Sequence, residues 1–127
     1  MKQLKAYICS PLSAPTAEGI RRNMEAARWY MQMVSRLWDC RAVAPHAYLP
    51  EFLDDKDKQE RDLALSFGLA YLDTCDRLVI CGSRFTKGML GEIQHAAAQK
   101  IPIFWISEDY SPCRSIGKIE YEEIQGW

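Results

Sequence analysis

Hydrophobic residues recur along this chain with two different periods, and the two periods predict two kinds of element. Short apolar runs predict four β-strands, at residues 4–9, 41–44, 78–81 and 101–106. Between these runs, apolar side chains return every three to four positions, which predicts three helices, over residues 20–38, from 57 to about 74, and from 88 to just before Pro102. Strand and helix therefore alternate along most of the chain.

Local signals support several of these boundaries. Asp57 is followed three residues later by Glu60, an acidic variant of the capping box that opens a helix. The run LVIC at residues 78–81 is almost continuously apolar and is followed by Gly82, which is typical of a central parallel strand covered on both faces. Residues 47–57, AYLPEFLDDKD, are predicted to form a loop whose apolar side chains fold against the rest of the chain.

This order of elements predicts an α/β fold, a three-layer Rossmann-like (flavodoxin-like) parallel sheet of about five strands with helices on both faces. The fifth strand is expected at an edge, in the tail that carries Tyr121–Ile124 and ends in Trp127. In such sheets ligands bind beyond the carboxyl ends of the strands. Here those ends are residues 9–11, 45–48, 82–86 and 107–110.

Length and composition limit the classes of protein that need to be considered. With 127 residues, of which 48% are apolar, the chain is expected to fold as a single domain over residues 1–127. Sixteen basic and 17 acidic side chains give a formal net charge of -1, so a nucleic acid polymer is not an expected partner. No apolar run approaches the ~18 residues that a membrane span needs, so no membrane partner is expected.

The cysteines and histidines indicate the compartment and argue against a metal site. The five cysteines show no C-x-x-C spacing, and only two histidines are present. This pattern predicts free thiols in the reducing cytoplasm and leaves a metal ion few ligands. A metal ion is therefore not expected.

The most informative segment for chemistry is residues 82–92, GSRFTKGMLGE, which leads from the third strand into the third helix. Its glycines and hydroxyl groups lie where backbone N–H groups are free to bind an anion. The segment matches neither the P-loop pattern G-x-x-x-x-G-K-[ST] nor the dinucleotide pattern G-x-G-x-x-G. It therefore does not support binding of ATP or NAD.

Three residues are candidates for catalysis, and each has an ordinary structural alternative. Glu92 lies in the first turns of the third helix, where the helix dipole is expected to keep it ionised near neutral pH, although acidic residues also occur there for stability alone. Tyr7, in the first strand, either directs its hydroxyl to the ligand end of the sheet or is a core residue. Asp76 is either a turn residue or a carboxylate at the mouth of the site.

The loop after the second strand adds further candidates. His46 follows Pro45 at the end of the strand, where it is placed to contact a ligand, although single histidines are more often surface or hydrogen-bonded residues. Asp54 and Asp55 either reach a ligand or only keep their loop solvated.

Four segments together resemble one protein family, namely AYICSP in the first strand, APHAYLPEFLDD after the second, CDRLVICG at the third, and GMLGEIQHA in the third helix. They are similar to the nucleoside 2-deoxyribosyltransferase-like superfamily and, within it, to a small bacterial and phage branch. The resemblance covers residues 7–106. Its APH and FLDD features belong to the branch, whereas the glutamate motif is shared with the enzymes of the superfamily.

The resemblance implies roles for the three candidates. In those enzymes a glutamate near the start of the third main helix is the nucleophile, a tyrosine of the first strand steadies it, and an aspartate just before the following strand helps to handle the base. These roles correspond to Glu92, Tyr7 and Asp76. The implied reaction cleaves the N-glycosidic bond of a nucleoside or its 5′-monophosphate through a glutamyl glycosyl-enzyme intermediate, as a hydrolase or a deoxyribosyltransferase, with no cofactor.

The resemblance also implies how the substrate is held. Thr86 stands where the transferases tend to carry an aspartate and where related nucleoside 5′-monophosphate hydrolases carry a phosphate-binding serine, which favours a phosphorylated substrate. The implied phosphate contacts are Ser10, Ser83, Thr86 and Gly88, and His46 is a further substrate contact. Relatives complete the pocket with a neighbouring subunit, and four tryptophans and an apolar loop suit a homo-oligomer. The alternative is a nucleotide-binding module that does not cleave its ligand.

Overall fold

The computed structural model describes residues 3–82 and 84–106 and the backbone of residues 116–118. The elements in chain order are β1 (Lys5–Cys9), α1 (Ala17–Trp38), β2 (Arg41–Val43), two short 3-10 helices (Pro45–Ala47 and Leu49–Glu51), α2 (Lys58–Leu72), β3 (Arg77–Cys81), α3 (Lys87–Ala98), β4 (Ile103–Ile106) and β5 (Ile116–Lys118). The predicted alternation of strand and helix is confirmed, with small shifts of the element ends.

The described strands form one sheet in the order β2-β1-β3-β4-β5. β1 to β4 are parallel, and β5 pairs with β4 in the antiparallel direction. The predicted α/β fold is therefore confirmed, except that the edge strand is antiparallel and comes from residues 116–118. The segment 121–127, where this strand was expected, lies outside the described residues. Because the strand order reverses at β1 and β3, the carboxyl ends of these strands flank a crevice suited to a ligand.

Successive residues of a strand face opposite sides of the sheet, and each side has its own core. Ala6 and Ile8 of β1 pack with residues of α1 such as Ala27. Tyr7 and Cys9 point to the other side, which α2 and α3 cover. Helices therefore cover both faces of the sheet, as predicted. The position of Tyr7 along β1 places its side chain on the face that α3 covers.

Polar side chains determine where α2 and α3 begin. Asp57 accepts a hydrogen bond from the backbone N–H of Glu60 at 3.2 Å, so the predicted cap of α2 is confirmed. Thr86 caps α3 by accepting a hydrogen bond from the N–H of Met89 at 3.3 Å. Within the described residues, no helix has the length and hydropathy required of a membrane span.

The segment between β2 and α2 is held against α1 by one arginine. Arg28 donates hydrogen bonds to the carbonyl oxygen of Ala47 at 2.9 Å and to the carboxylate of Glu51 at 2.6 Å. Its guanidinium group also lies 4.5 Å from the centroid of the Tyr48 ring. The expectation that this segment folds against the rest of the chain is confirmed, and the segment contains two 3-10 helices where a loop was predicted.

Candidate active site

Two polar side chains from different elements meet beside the sheet. Tyr7, in the middle of β1, is 1% exposed and lies in the core that α2 and α3 cover. Glu92 lies in the second turn of α3 and is partly buried. The hydroxyl group of Tyr7 donates a hydrogen bond to the carboxylate of Glu92. The structure thus brings together two of the three residues that the sequence proposes for catalysis.

Helix α2 comes close to this pair at Gly68. A Cβ atom on Gly68 would lie 2.9 Å from the hydroxyl oxygen of Tyr7 and 3.7 Å from Oε2 of Glu92. The first distance is shorter than packed side chains tolerate, so α2 packs here only because residue 68 is glycine. Gly68 is not among the candidate residues predicted from the sequence, because its one local signal is a glycine inside a predicted helix.

Burial changes the acid–base properties of both residues. It raises the pKa of Glu92 to about 7, although hydrogen bonds from Tyr7 and Cys9 partly offset this rise. The expectation that the helix dipole keeps Glu92 ionised is therefore corrected, because the dipole acts within the first turn and Glu92 lies in the second. Burial and, to a smaller extent, the charge of Glu92 raise the pKa of Tyr7, so the tyrosine stays protonated and is the donor of the pair.

A cleft opens beside this pair, under the segment that follows β2. Its lining includes Tyr7 and Glu92, His46 and Leu49 of that segment, and Leu65 of α2. The cleft lies at the carboxyl ends of β1 and β2, where α/β sheets bind their ligands. Glu92, around which the sequence predicts a site, therefore lines a surface cleft.

His46 and Ser10, both predicted to bind substrate, are in contact with each other. Nε2 of His46 lies 2.7 Å from Oγ of Ser10, which follows β1 and is 4% exposed. Nδ1 of the same ring is buried and has no hydrogen-bond partner among the described residues. Burial lowers the pKa of His46 to about 4, so its ring is uncharged at neutral pH. Of the two residues, His46 lines the cleft.

The rim of the cleft is acidic. Among the described residues that line it, Arg61 carries the one permanent positive charge, against the four carboxyl groups of Asp54, Asp55, Glu60 and Glu92. Glu60 also accepts a hydrogen bond from the backbone N–H of Asp54 at 3.1 Å. From the sequence, Glu60 is predicted only as a capping residue and Arg61 has no predicted role, because their approach to the cleft depends on how α2 lies on the sheet.

Asp76 lies at the other end of the strands. Its carboxylate accepts a hydrogen bond from the backbone N–H of Lys5 at 2.7 Å, and its own N–H donates to the carbonyl oxygen of Lys5 at 2.8 Å. Lys5 begins β1 and Asp76 precedes β3, so both residues stand at the amino ends of the strands. The expectation of a catalytic carboxylate at Asp76 is therefore corrected. Asp76 is a turn residue that joins the starts of β1 and β3.

Three of the four predicted phosphate contacts, Ser10, Thr86 and Gly88, lie within the described residues, and none of the three lines the cleft. Thr86 caps α3, and Gly88 lines a separate groove between α2 and α3, which Glu92 also borders. Ser10 is engaged by His46. Ser83 lies outside the described residues. In the sequence, Ser83, Thr86 and Gly88 share the segment between β3 and α3, whereas in the structure Thr86 caps α3 and Gly88 lines the groove between α2 and α3.

The described cysteines belong to the core. Cys9, Cys40, Cys75 and Cys81 are free and buried. Burial raises the pKa of Cys9 and Cys81, so these thiols stay protonated. In the described part of the chain, no three His, Cys, Asp or Glu residues are grouped so that they could hold a metal ion.

Most of the chain matches the model of one protein family. The family model described as "Domain of unknown function (DUF7768)" matches residues 4–106. The chain belongs to this family. The matched residues include all the elements from β1 to β4. They therefore include every residue named above as lining the cleft beside Glu92. Among curated proteins, no significant match is found.

The fold of this DUF7768 chain is similar to that of a 2-deoxyribosyltransferase from the psychrotolerant bacterium Bacillus psychrosaccharolyticus. The two proteins are 14% identical, and the match covers 80% of this chain and 70% of that chain with a TM-score of 0.59. At this level of identity the likeness shows a shared fold and does not by itself show a shared activity. The deoxyribosyltransferase-like fold implied by the sequence resemblance is therefore confirmed.

Proposed function

We propose that this protein cleaves the N-glycosidic bond of a nucleoside or its 5′-monophosphate, with Glu92 as the nucleophile. The observation that carries the proposal is the carboxyl group of Glu92, which is hydrogen-bonded to the buried hydroxyl of Tyr7 beside a cleft at the strand ends. The solved structure with a similar fold is that of a 2-deoxyribosyltransferase described as a biocatalyst for the synthesis of nucleosides, which supports a nucleoside-type substrate.

The reaction consists of two displacements at the anomeric carbon. In the first, a carboxylate oxygen of Glu92 forms a bond to C1′ while the C1′–N bond breaks. The electron pair of the C1′–N bond leaves with the base. In the second, the oxygen of water bonds to C1′ and its proton passes to the carboxylate that protonated the leaving base, while the bond between Glu92 and C1′ breaks and restores the carboxylate of Glu92. A second base in place of water gives transfer instead of hydrolysis. Either route retains the configuration at C1′.

Tyr7 prepares the nucleophile for the first displacement. Its hydroxyl binds Oε2 of Glu92, which leaves Oε1 for attack on C1′. Because burial raises the pKa of Glu92 to about 7, a large fraction of the carboxyl groups is ionised at neutral pH, and each ionised group lies in a poorly solvated site. A weakly solvated carboxylate that is oriented by hydrogen bonds is a suitable nucleophile.

The departing base needs a proton, and the acidic rim of the cleft holds a candidate donor. Asp55 is half-buried and lines the cleft. Glu60, the other candidate on the rim, already accepts the N–H of Asp54. We assign proton donation to Asp55, in the role that the sequence resemblance assigned to Asp76. A carboxylic acid within reach of the leaving nitrogen accelerates such a step by roughly 10²–10⁴-fold.

The test is release of free base. The protein is incubated with ribo- and deoxyribonucleosides and their 5′-monophosphates, and the products are separated by chromatography. We expect release by the unmodified protein and a loss of at least about 10³-fold in Glu92→Ala. Glu18→Ala, which removes an exposed carboxylate of α1, is the matched control. Base release by Glu92→Ala at the rate of the unmodified protein contradicts the proposal.

A second candidate function is a module that binds a nucleoside or nucleotide without cleaving it. One observation favours it, because the carboxylate expected to handle the base, Asp76, lies at the amino ends of the strands. Under this alternative, nucleosides raise the melting temperature of the protein, and no base is released after prolonged incubation. Base release that depends on Glu92 excludes it.

We further propose that a second copy of the chain covers the outer face of α2. This helix has two buried residues, whereas Leu63 and Phe67, which lie one turn apart on the outer face, are 59% and 50% exposed. Neighbouring exposed apolar side chains that form a patch mark a site of protein association.

Three statements about the whole protein stay predictions. They are a single domain over residues 1–127, a place in a bacterial and phage branch of the superfamily, and a location in the cytoplasm. The buried free thiols support the last of these, since reduced cysteines are typical of that compartment. The small net charge of the chain supports a small nucleoside or nucleotide as the partner rather than a nucleic acid polymer.

A further inference from the structure

The reaction steps described above do not use His46, although its ring lines the cleft together with Tyr7 and Glu92. Nε2 of this ring is occupied, because it lies 2.7 Å from Oγ of Ser10. Nδ1 is buried and has no hydrogen-bond partner in residues 3–82 and 84–106. Buried polar atoms are nearly always hydrogen-bonded, so an unpaired ring nitrogen on a cleft residue requires an explanation.

We propose that Nδ1 of His46 recognises an uncharged hydrogen-bonding group of the substrate, either a sugar hydroxyl or the edge of the base. This inference rests on the proposed function, because it assumes that the cleft beside Glu92 takes a nucleoside. It assigns His46 to substrate specificity, with Ser10 as the residue that orients the ring through Nε2.

The chemistry of the ring favours an uncharged partner. Because burial lowers the pKa of His46 to about 4, the ring carries one N–H and one lone pair at neutral pH. The hydroxyl of Ser10 either accepts from Nε2 or donates to it. Nδ1 is an acceptor in the first arrangement and a donor in the second. Sugar hydroxyls satisfy both arrangements, and a base edge presents both donors and acceptors.

The charges of the cleft disfavour a phosphate as this partner. Four carboxyl groups line the cleft, and Arg61 is the one permanent cation among its described residues. An uncharged imidazole adds no attraction for an anion, and nearby carboxylates repel one. The hydrogen-bonding group is therefore expected on the sugar or the base of the substrate.

Two substitutions separate the two ring nitrogens. His46→Asn places its amide near the position of Nδ1 and loses the contact with Ser10, whereas His46→Gln places its amide near Nε2 and keeps that contact. We expect His46→Gln to lower kcat/KM for nucleosides by about tenfold or more, mainly through KM, and His46→Asn to lower it less. Ser10→Ala is the matched control for loss of the Nε2 contact alone. If kcat/KM falls as strongly in His46→Asn as in Ser10→Ala, while His46→Gln keeps the kcat/KM of the unmodified protein, the ring acts through Ser10 and the proposal is wrong.

Substrate analogues distinguish the sugar from the base. The analogues are a 3′-deoxynucleoside, a 5′-deoxynucleoside and a nucleoside of benzimidazole, whose base lacks the polar edge. With the analogue that lacks the recognised group, His46→Gln should cause no further loss of kcat/KM, because the hydrogen bond to Nδ1 is already absent. An equal penalty with all three analogues overturns the proposal.

A binding measurement separates this inference from the proposed function. In the Glu92→Gln protein, which retains the cleft and lacks the nucleophile, the nitrogen resonances of His46 are followed by NMR as a nucleoside is added. A shift at Nδ1, with no base release by the unmodified protein, overturns the enzymatic proposal and leaves the recognition role intact. Base release by the unmodified protein, with nucleoside bound and Nδ1 unshifted, overturns the recognition role alone.

Discussion

The hydroxyl group of Tyr7 donates a hydrogen bond to the carboxylate of Glu92, and this bond joins the middle of β1 to the second turn of α3. Tyr7 is held in the core at 1% exposure, so its hydroxyl has a fixed position. Glu92 is partly buried against it and has a pKa of about 7. The same burial that prepares a reactive carboxylate makes its ionisation costly for the folded state.

Removal of the Tyr7 hydroxyl should shift the pH dependence of the reaction. In Tyr7→Phe the pKa of Glu92 is expected to rise above about 7, because the hydrogen bond from Tyr7 lowers it. The nucleophile is then mostly protonated at pH 7, and we expect base release there to fall roughly 10- to 100-fold and to recover in part at higher pH. The measurement is kcat/KM as a function of pH. Tyr48→Phe, at an exposed tyrosine, is the control, and an unshifted profile in Tyr7→Phe contradicts the prediction.

Replacement of Glu92 should stabilise the fold in a pH-dependent way. The pKa of Glu92 is about 7 in the folded chain and 4.5 ordinarily, so the folded state binds this proton more tightly than the unfolded state. The contribution of Glu92 to the free energy of unfolding therefore decreases as pH rises from about 4.5 to about 7. We expect Glu92→Gln to be more stable than the unmodified protein by about 1–3 kcal/mol at pH 8 and nearly equal to it at pH 4. Urea unfolding at both pH values measures this, and a pH-independent difference argues against it.

Two glycines of the helices should respond in opposite ways to alanine. A Cβ atom on Gly68 would lie 2.9 Å from the hydroxyl of Tyr7, whereas a Cβ atom on Gly91 meets nothing within 4 Å. We expect Gly68→Ala to cost about 1–3 kcal/mol of stability and to reduce base release, because it displaces Tyr7 or α2. Gly91→Ala is expected to be neutral or stabilising by up to about 1 kcal/mol. Thermal unfolding of both variants tests this, and equal effects would mean that α2 can move away at no cost.

Two aspartates should separate catalysis from structure. Asp55 lines the cleft, and Asp55→Asn is expected to lower kcat by about 10²-fold or more with little change in stability. Asp76 binds the backbone of Lys5, and Asp76→Asn is expected to cost about 1–2 kcal/mol of stability with kcat nearly unchanged. Both variants are measured by urea unfolding and by base release. The reverse result, with kcat lost only in Asp76→Asn, restores the role that the sequence resemblance gave to Asp76.

The outer face of α2 should control the oligomeric state. Phe67 is 50% exposed on this face, and Phe67→Lys introduces a charge that cannot be buried between two copies. We expect the mass in solution, measured by light scattering, to fall from that of an oligomer to that of a single chain. Trp29→Lys changes an exposed apolar residue of α1, on the other side of the sheet, and should leave the mass unchanged. A single-chain mass for the unmodified protein contradicts the homo-oligomer.

Much of the fold could be predicted because it depends on local patterns. The spacing of Ile20, Met24 and Ala27 predicts an amphipathic helix, and these residues are buried in α1 as the pattern requires. The pair of Asp57 and Glu60 marks the start of α2 through a contact between neighbours. The direction of β5 could not be predicted in this way, because pairing at the edge of a sheet depends on residues distant in the chain.

The sequence by itself determined the α/β fold and the candidates Tyr7 and Glu92, because periodicity and family motifs are properties of neighbouring residues. Tertiary structure alone decided which candidates share a site. Residues one position apart on a strand face opposite sides of the sheet, and the two ends of a strand face different edges. For this reason Tyr7 meets Glu92 and Gly68, His46 meets Ser10, and Asp76 stands at the far edge. The pKa of Glu92 was likewise decided by burial, which is a property of the packed chain and not of its position in a helix.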